Sequence, residues 1–117
     1  MTLRVIGVVK ALPKNIIGDV LGRQLIRSAS STTANYSSAC KARSKADFIS
    51  KLGIVEEEID ETKLWLELIV ESGLVKASQL ENLMKEVDEL GAIFAASRIT
   101  ARKNVSSLKS SIGNRKS

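Results

Sequence analysis

The chain contains no histidine, one cysteine, one proline and only four aromatic residues among 117, and each scarcity closes off a class of function. Without histidine there is no imidazole to act as a general base near neutral pH, no Ser-His or Cys-His nucleophile pair, and no His-containing zinc or di-iron site. The single thiol, Cys40, can form no disulfide within the chain and cannot build a thiolate metal site, so nothing points to an oxidising compartment. Its small neighbours in sequence suggest a packed helical thiol. No apolar run approaches the ~18 residues needed to span a bilayer. The segment from Met1 to Leu12 has neither a long apolar stretch nor a small-residue cleavage site. These readings lead to a cytoplasmic, non-enzymatic protein with no cofactor, no metal, no membrane association and no small-molecule substrate.

What the chain does have is aliphatic residues at helical spacing. Hydrophobic residues make up 44% of it, mostly Leu, Ile, Val and Ala, enough for the core of one small domain. The β-branched residues do not alternate with polar ones as strands require. A short helix is expected over Thr2 to Ala11, closed by Pro13, because the residue before proline disfavours helical backbone. A second helix is expected from an Asn15 cap to about Arg43, with Ile17, Leu21, Leu25, Ala29, Thr32, Tyr36 and Cys40 facing inward. It passes through Ser28 to Asn35 (SASSTTAN), where helical spacing persists despite loop-like composition. Ser44 with Asp47 caps a third helix, whose stripe Phe48, Leu52, Val55, Ile59, Thr62, Leu66, Ile69 runs at alternating spacings of four and three until Gly73 stops it. Ser78 with Glu81 fits a capping box for a fourth, whose stripe is Leu80, Leu83, Val87, Leu90, Phe94, Ser97, Ala101.

The fold class that follows is all-α: an up-and-down antiparallel four-helix bundle with a short first helix over residues 1–104, then a basic, serine-rich tail over 105–117 that is expected to fray. The later helices should each be about 40 Å long, against about 15 Å for the first. The groove left by that mismatch calls either for residues upstream of Met1 or for a neighbouring subunit.

Charge is segregated along the chain. Met1 to Val55 carries nine basic and two acidic residues, Glu56 to Leu90 three basic and eleven acidic, and Gly91 onward six basic and none acidic. Arg23 and Arg27 share a helical face. Lys41, Arg43 and Lys45 cluster where the second and third helices meet, and Arg98, Arg102 and Lys103 fall together on the fourth. Such clusters can neutralise nucleic-acid phosphates, whereas the shortage of aromatics argues against reading unstacked bases. Solvated helix faces carry charge in any case, and Arg98 to Lys103 would also complement a helix C-terminus. The acidic run Glu56 to Glu61 has carboxylates at i, i+4, but the Glu-x-x-His partner of a di-iron site cannot exist here, so a solvated or docking face is the reading.

The blocks V-L-G-R-Q-L-I-R-S (Val20 to Ser28), A-N-Y-S-S-A-C-K-A-R-S-K-A-D-F-I-S-K-L (Ala34 to Leu52), E-I-D-E-T-K-L-W-L-E-L-I-V-E-S-G-L (Glu58 to Leu74), E-V-D-E-L (Glu86 to Leu90) and A-S-R-I-T-A-R-K-N (Ala96 to Asn104) resemble the family of 23S rRNA intervening-sequence proteins. The resemblance implies an up-and-down bundle, assembly into a ring-like homopentamer, no known enzymatic activity, and an origin in insertions within bacterial ribosomal RNA genes. Related bundles serve as accessory proteins of diversity-generating retroelements and contact nucleic acid and a reverse transcriptase through basic surfaces. Carried over, Arg23, Arg27, Lys41, Arg43 and Lys45 become the foremost candidate contacts. The sequence departs from the family pattern in its truncated first helix and in Ser30 to Thr33, which replace a stretch that usually contains glycine and isoleucine. Two functions compete: an oligomeric adaptor binding RNA or DNA, and a protein–protein scaffold whose opposite charges pair between subunits.

Overall fold

A computed structural model describes the backbone of residues 1–116 and the side chains of residues 1–106. Four helices follow one another: α1 (Thr2–Ala11), α2 (Ile16–Cys40), α3 (Lys45–Glu71) and α4 (Ala77–Lys116). Helices adjacent in sequence are adjacent in space, α1 on α2, α2 on α3 and α3 on α4, which is the up-and-down arrangement. No helix among the described residues is long and apolar enough to cross a membrane.

The boundaries follow from local chemistry. Leu12, before Pro13, adopts extended backbone (ψ 146°) and ends α1. The Asn15 side chain accepts from the Gly18 N–H at 2.8 Å, and Ser44 Oγ accepts from the Asp47 N–H at 3.1 Å, so both expected caps form. Gly73 supplies the left-handed residue after α3 (φ 78°). Its N–H donates to the Val70 carbonyl and that of Leu74 to the Ile69 carbonyl, a Schellman stop. The fourth start differs from expectation. The helix begins at Ala77, one residue before the expected Ser78 cap, and it is Gln79 Oε1 that accepts from a backbone N–H, that of Lys76 at 3.4 Å. At its other end α4 runs past residue 104 without a break, and the side chains of the basic tail, Lys109, Arg115 and Lys116 among them, lie outside the described residues.

The core is aliphatic: Val5 and Leu12 from α1, Leu25 and Ala29 from α2, Leu52, Val55, Ile59, Leu66 and Ile69 from α3, and Leu80, Leu83, Val87 and Phe94 from α4. The α3 and α4 stripes lie as the spacing predicts. The α2 stripe is rotated by about one residue at both ends. Gly18, Gly22, Ser28 and Ala39 face inward, while Ile17 and Tyr36 are 53% and 44% exposed and Cys40 is exposed rather than packed. At the N-terminal end the cause is the close approach of α1 and the turn that follows it. A Cβ on Gly18 would sit 2.2 Å from the Pro13 carbonyl oxygen, and one on Gly22 would meet Leu12 and Val9 at 3.3 Å. Helix α2 also ends at Cys40, three residues earlier than Arg43.

Polar groups inside are bonded. Ser28 Oγ donates to the Leu25 carbonyl, and Thr62 Oγ1 lies 2.9 Å from Ser28 Oγ and 2.8 Å from the Glu58 carbonyl, linking α2 to α3 at the bundle's centre. Antiparallel to α2, helix α1 covers only part of it: Thr2 Oγ1 contacts the Ala29 carbonyl and Thr33 Oγ1 (2.7 Å). Beyond that level α2 meets α4 directly, with the Tyr36 and Phe94 rings 5.2 Å apart and tilted by 44°. On the far side, Glu86 of α4 ties α1 down by accepting from Arg4 (2.8 Å) and the Met1 ammonium (2.9 Å). These two cations, the ammonium foremost, hold the Glu86 carboxyl below its ordinary range.

Candidate nucleic-acid interface

The eight basic candidates separate into three groups. The first is at the end of the bundle where α2 turns into α3. Here the α2 C-terminus presents Lys41, the connecting turn Arg43 and the first turn of α3 Lys45, all exposed. Lys45 lines a groove with Phe48, Ser97, Ala101 and Asn104, which places the Ala101–Asn104 turn of α4 at the same level. Arg102 and Lys103, in that turn, are therefore at this end too, and both are exposed. Among the described residues no carboxylate pairs with any of these five cations. The nearby Asp47 is taken by Lys51 at 3.2 Å.

The second group is consumed inside the fold. Arg27 reaches across to α3, where its guanidinium bonds Glu61 and, at 3.3 Å, Glu58; the same Glu61 also accepts from Trp65 Nε1. The hydrogen bond that Arg27 donates to Glu61 and the two negative charges raise the Arg27 pKa above its ordinary value. Arg98 Nε donates to both oxygens of Glu56, at 2.8 and 2.9 Å, and the pair is mostly shielded from solvent. Arg27 and Arg98, expected to stand open for phosphate, are thus paired with carboxylates, Arg98 mostly shielded and Arg27 still 47% exposed. Each is held by carboxylates from the acidic stretch of α3, while Lys63, on α3 itself, is paired with Asp88 of α4 at 2.8 Å, which raises its pKa.

The third group is Arg23, near the opposite end. It lines an open cleft of about 460 Å³ between α1 and α2, together with Lys10, Lys14 and a single carboxylate, Asp19. Lys10 and Lys14 are absent from the sequence-derived set. The signal available for them was their position on either side of Pro13, where the chain must reverse and bring them to the start of α2.

A family model described as 23S rRNA-intervening sequence protein matches residues 1–96. The chain belongs to that family. A solved structure described as a protein with unknown function from the S23 ribosomal protein family of Bacteroides thetaiotaomicron is 31% identical, with a TM-score of 0.77, and the match covers 83% of this chain and 90% of that one. No protein of curated function matches the sequence significantly. Set beside this 23S rRNA-intervening sequence protein fold, the division among the cations is a matter of helix register. The antiparallel α2–α3 and α3–α4 pairs put Glu56, Glu58 and Glu61 level with Arg98 and Arg27, while the turn regions beyond them carry bases without acids.

Proposed function

We propose that this protein is a non-catalytic, self-associating adaptor of the cytoplasm that binds RNA or DNA through the phosphate backbone. Its binding end carries Lys41, Arg43 and Lys45, with Arg102 and Lys103 beside them. The observation that carries the reading is the presence of five exposed cations, from the end of α2, the turn after it, α3 and α4, at one end of the bundle, unpaired among the described residues. Phosphate neutralisation is the use that fits such a cluster, whose one aromatic neighbour is the half-buried Phe48 of α3. Self-association, as a ring of five copies, would cover apolar side chains that this chain leaves to solvent, among them Ile16 (78% exposed), Val20 (52%) and Ile93 (57%).

The test is binding of structured RNA hairpins and duplex DNA by fluorescence anisotropy across a salt series. Binding that weakens steeply with salt, and that weakens for every sequence alike when Lys41, Arg43 and Lys45 are changed to Glu, is the expected result. Absence of salt-sensitive association at low ionic strength refutes the reading.

A second reading, a protein–protein scaffold, is favoured by a different observation. Helix α2 exposes Ile17 and Val20, and α3 exposes Leu64 next in sequence to the half-buried Trp65, the kind of aromatic anchor on which protein interfaces concentrate their energy. A species that stays monomeric at low and high salt alike would remove both self-association and the pairing of charges between copies.

A further inference from the structure

Arg23 and Lys41 are eighteen residues apart, which is five turns of an α-helix, so they project from the same side of α2. The distance between them along the axis is about 27 Å at 1.5 Å per residue. Between them, at spacings of seven, four, three and four, the same outward side carries Ser30, Ala34 and Ser37, all exposed. None is long enough to hold an approaching polymer away from the helix. Each end of the strip is positive. At one end Lys41 leads into Arg43 and Lys45; at the other, Lys10 and Lys14 join Arg23 around the α1–α2 cleft. Asp19 is the single acid of α2, and it lies outside the interval. The flanking Arg27 is engaged by Glu58 and Glu61.

Two positive poles at a fixed separation, joined by a smooth polar strip, fit a ligand that is itself rigid and negatively charged along its length. A flexible single strand would have to be ordered on the strip, which carries no stacking ring of its own: Tyr36 is turned onto Phe94 and Trp65 toward Glu61, and the half-buried Phe48 lies past the Lys41 end, on α3. We propose that the outer face of α2, from Arg23 to Lys41, is a cradle for double-stranded nucleic acid. At about 3.4 Å per base pair along one strand, reaching both poles takes about eight base pairs. The inference rests on the nucleic-acid reading above and specifies its substrate: duplex rather than single strand, and longer than one pole can hold.

The experiment uses the full chain and anisotropy at fixed low salt with labelled RNA duplexes of 6 and 16 base pairs, a DNA duplex of 16 base pairs, and an unstructured 16-nucleotide strand. At least one of the long duplexes, RNA or DNA, should bind roughly tenfold or more tightly than the 6-base-pair duplex, beyond the few-fold gained from extra registers. Arg23→Gln should lower the salt slope for that long duplex by about one while leaving the 6-base-pair duplex, held by the Lys41 end, unchanged. Lys85→Gln, an exposed cation on α4, should move neither. The proposal is overturned if the single strand binds as well as both long duplexes, or if Arg23→Gln alters short and long duplexes alike or not at all. Salt-sensitive binding with that pattern leaves the parent reading standing; no salt-sensitive binding to any probe removes both.

Discussion

One substitution, glycine to alanine, should change the stability of this bundle in opposite directions at two positions. Inside a helix alanine is intrinsically favoured over glycine by about 0.8–1.0 kcal/mol. At Gly53 of α3, a new Cβ would meet nothing within 4 Å, so that gain should appear almost whole. At Gly18 of α2 the same carbon would lie 2.2 Å from the carbonyl oxygen of Pro13, which is backbone and cannot rotate aside. Relief requires α1 and its turn to lift from α2, loosening Leu12 and Val5 in the core. Overpacking of this kind costs about 1–3 kcal/mol, enough to exceed the propensity gain. Urea or thermal unfolding at one protein concentration measures both. Gly53→Ala should raise the midpoint by roughly 3–6 °C and Gly18→Ala should lower it, by up to about 10 °C. A Gly18→Ala protein as stable as the parent would refute the close α1–α2 contact. A destabilised Gly53→Ala would show that a neighbouring copy packs there.

Other outcomes follow from single contacts. Thr62→Val and Ser28→Ala should each cost only about 0.5–1.5 kcal/mol, because the remaining hydroxyl keeps its own-helix carbonyl, and a double-mutant cycle should show coupling between them. Glu86 has its pKa lowered in the folded state, so that state binds fewer protons than the unfolded one. Its contribution is complete above the ordinary value of 4.5 and fades as pH falls through the depressed one. Glu86→Gln should therefore cost about 0.5–1 kcal/mol at pH 7, with the gap to the parent closing toward pH 3 in acid-unfolding curves. Cys40 should react with a maleimide in the native protein without denaturant, and a thiol that labels only on unfolding would contradict its exposed position.

The inward faces of α3 and α4 were readable because large aliphatic residues occupy nearly every core position at spacings of three and four. The middle of α2 was readable too, at Leu25, Ala29 and Thr32, but its ends were not, because a hydrophobic count favours Ile17 over Gly18, and Tyr36 and Cys40 over Ala39. Gly18 and Gly22 are inside since α1 and its turn pass close by, a tertiary fact that the sequence of α2 does not carry. The caps at Asn15 and Ser44 were local and legible. That of α4 fell at Lys76, two residues before Ser78, where Gln79 accepts from the backbone N–H of the cap residue. The clustering of Lys41, Arg43 and Lys45 was plain from their closeness in sequence. The loss of Arg27 and Arg98 to Glu61, Glu58 and Glu56 depended on how antiparallel helices align, across separations of 31 to 42 residues.

The central claim is that unpaired cations at the α2–α3 end, and not the arginines held by α3 carboxylates, meet phosphate. The measurement that reaches it most directly is the slope of log affinity against log salt for one RNA duplex with three proteins: the parent, Lys41→Gln/Arg43→Gln/Lys45→Gln, and Arg27→Gln/Arg98→Gln. The first variant should lose about two to three units of slope with its melting temperature unchanged, and the second should keep the parental slope while losing stability. Equal slopes for the parent and the first variant, or a flattened slope in the second alone, would contradict the account.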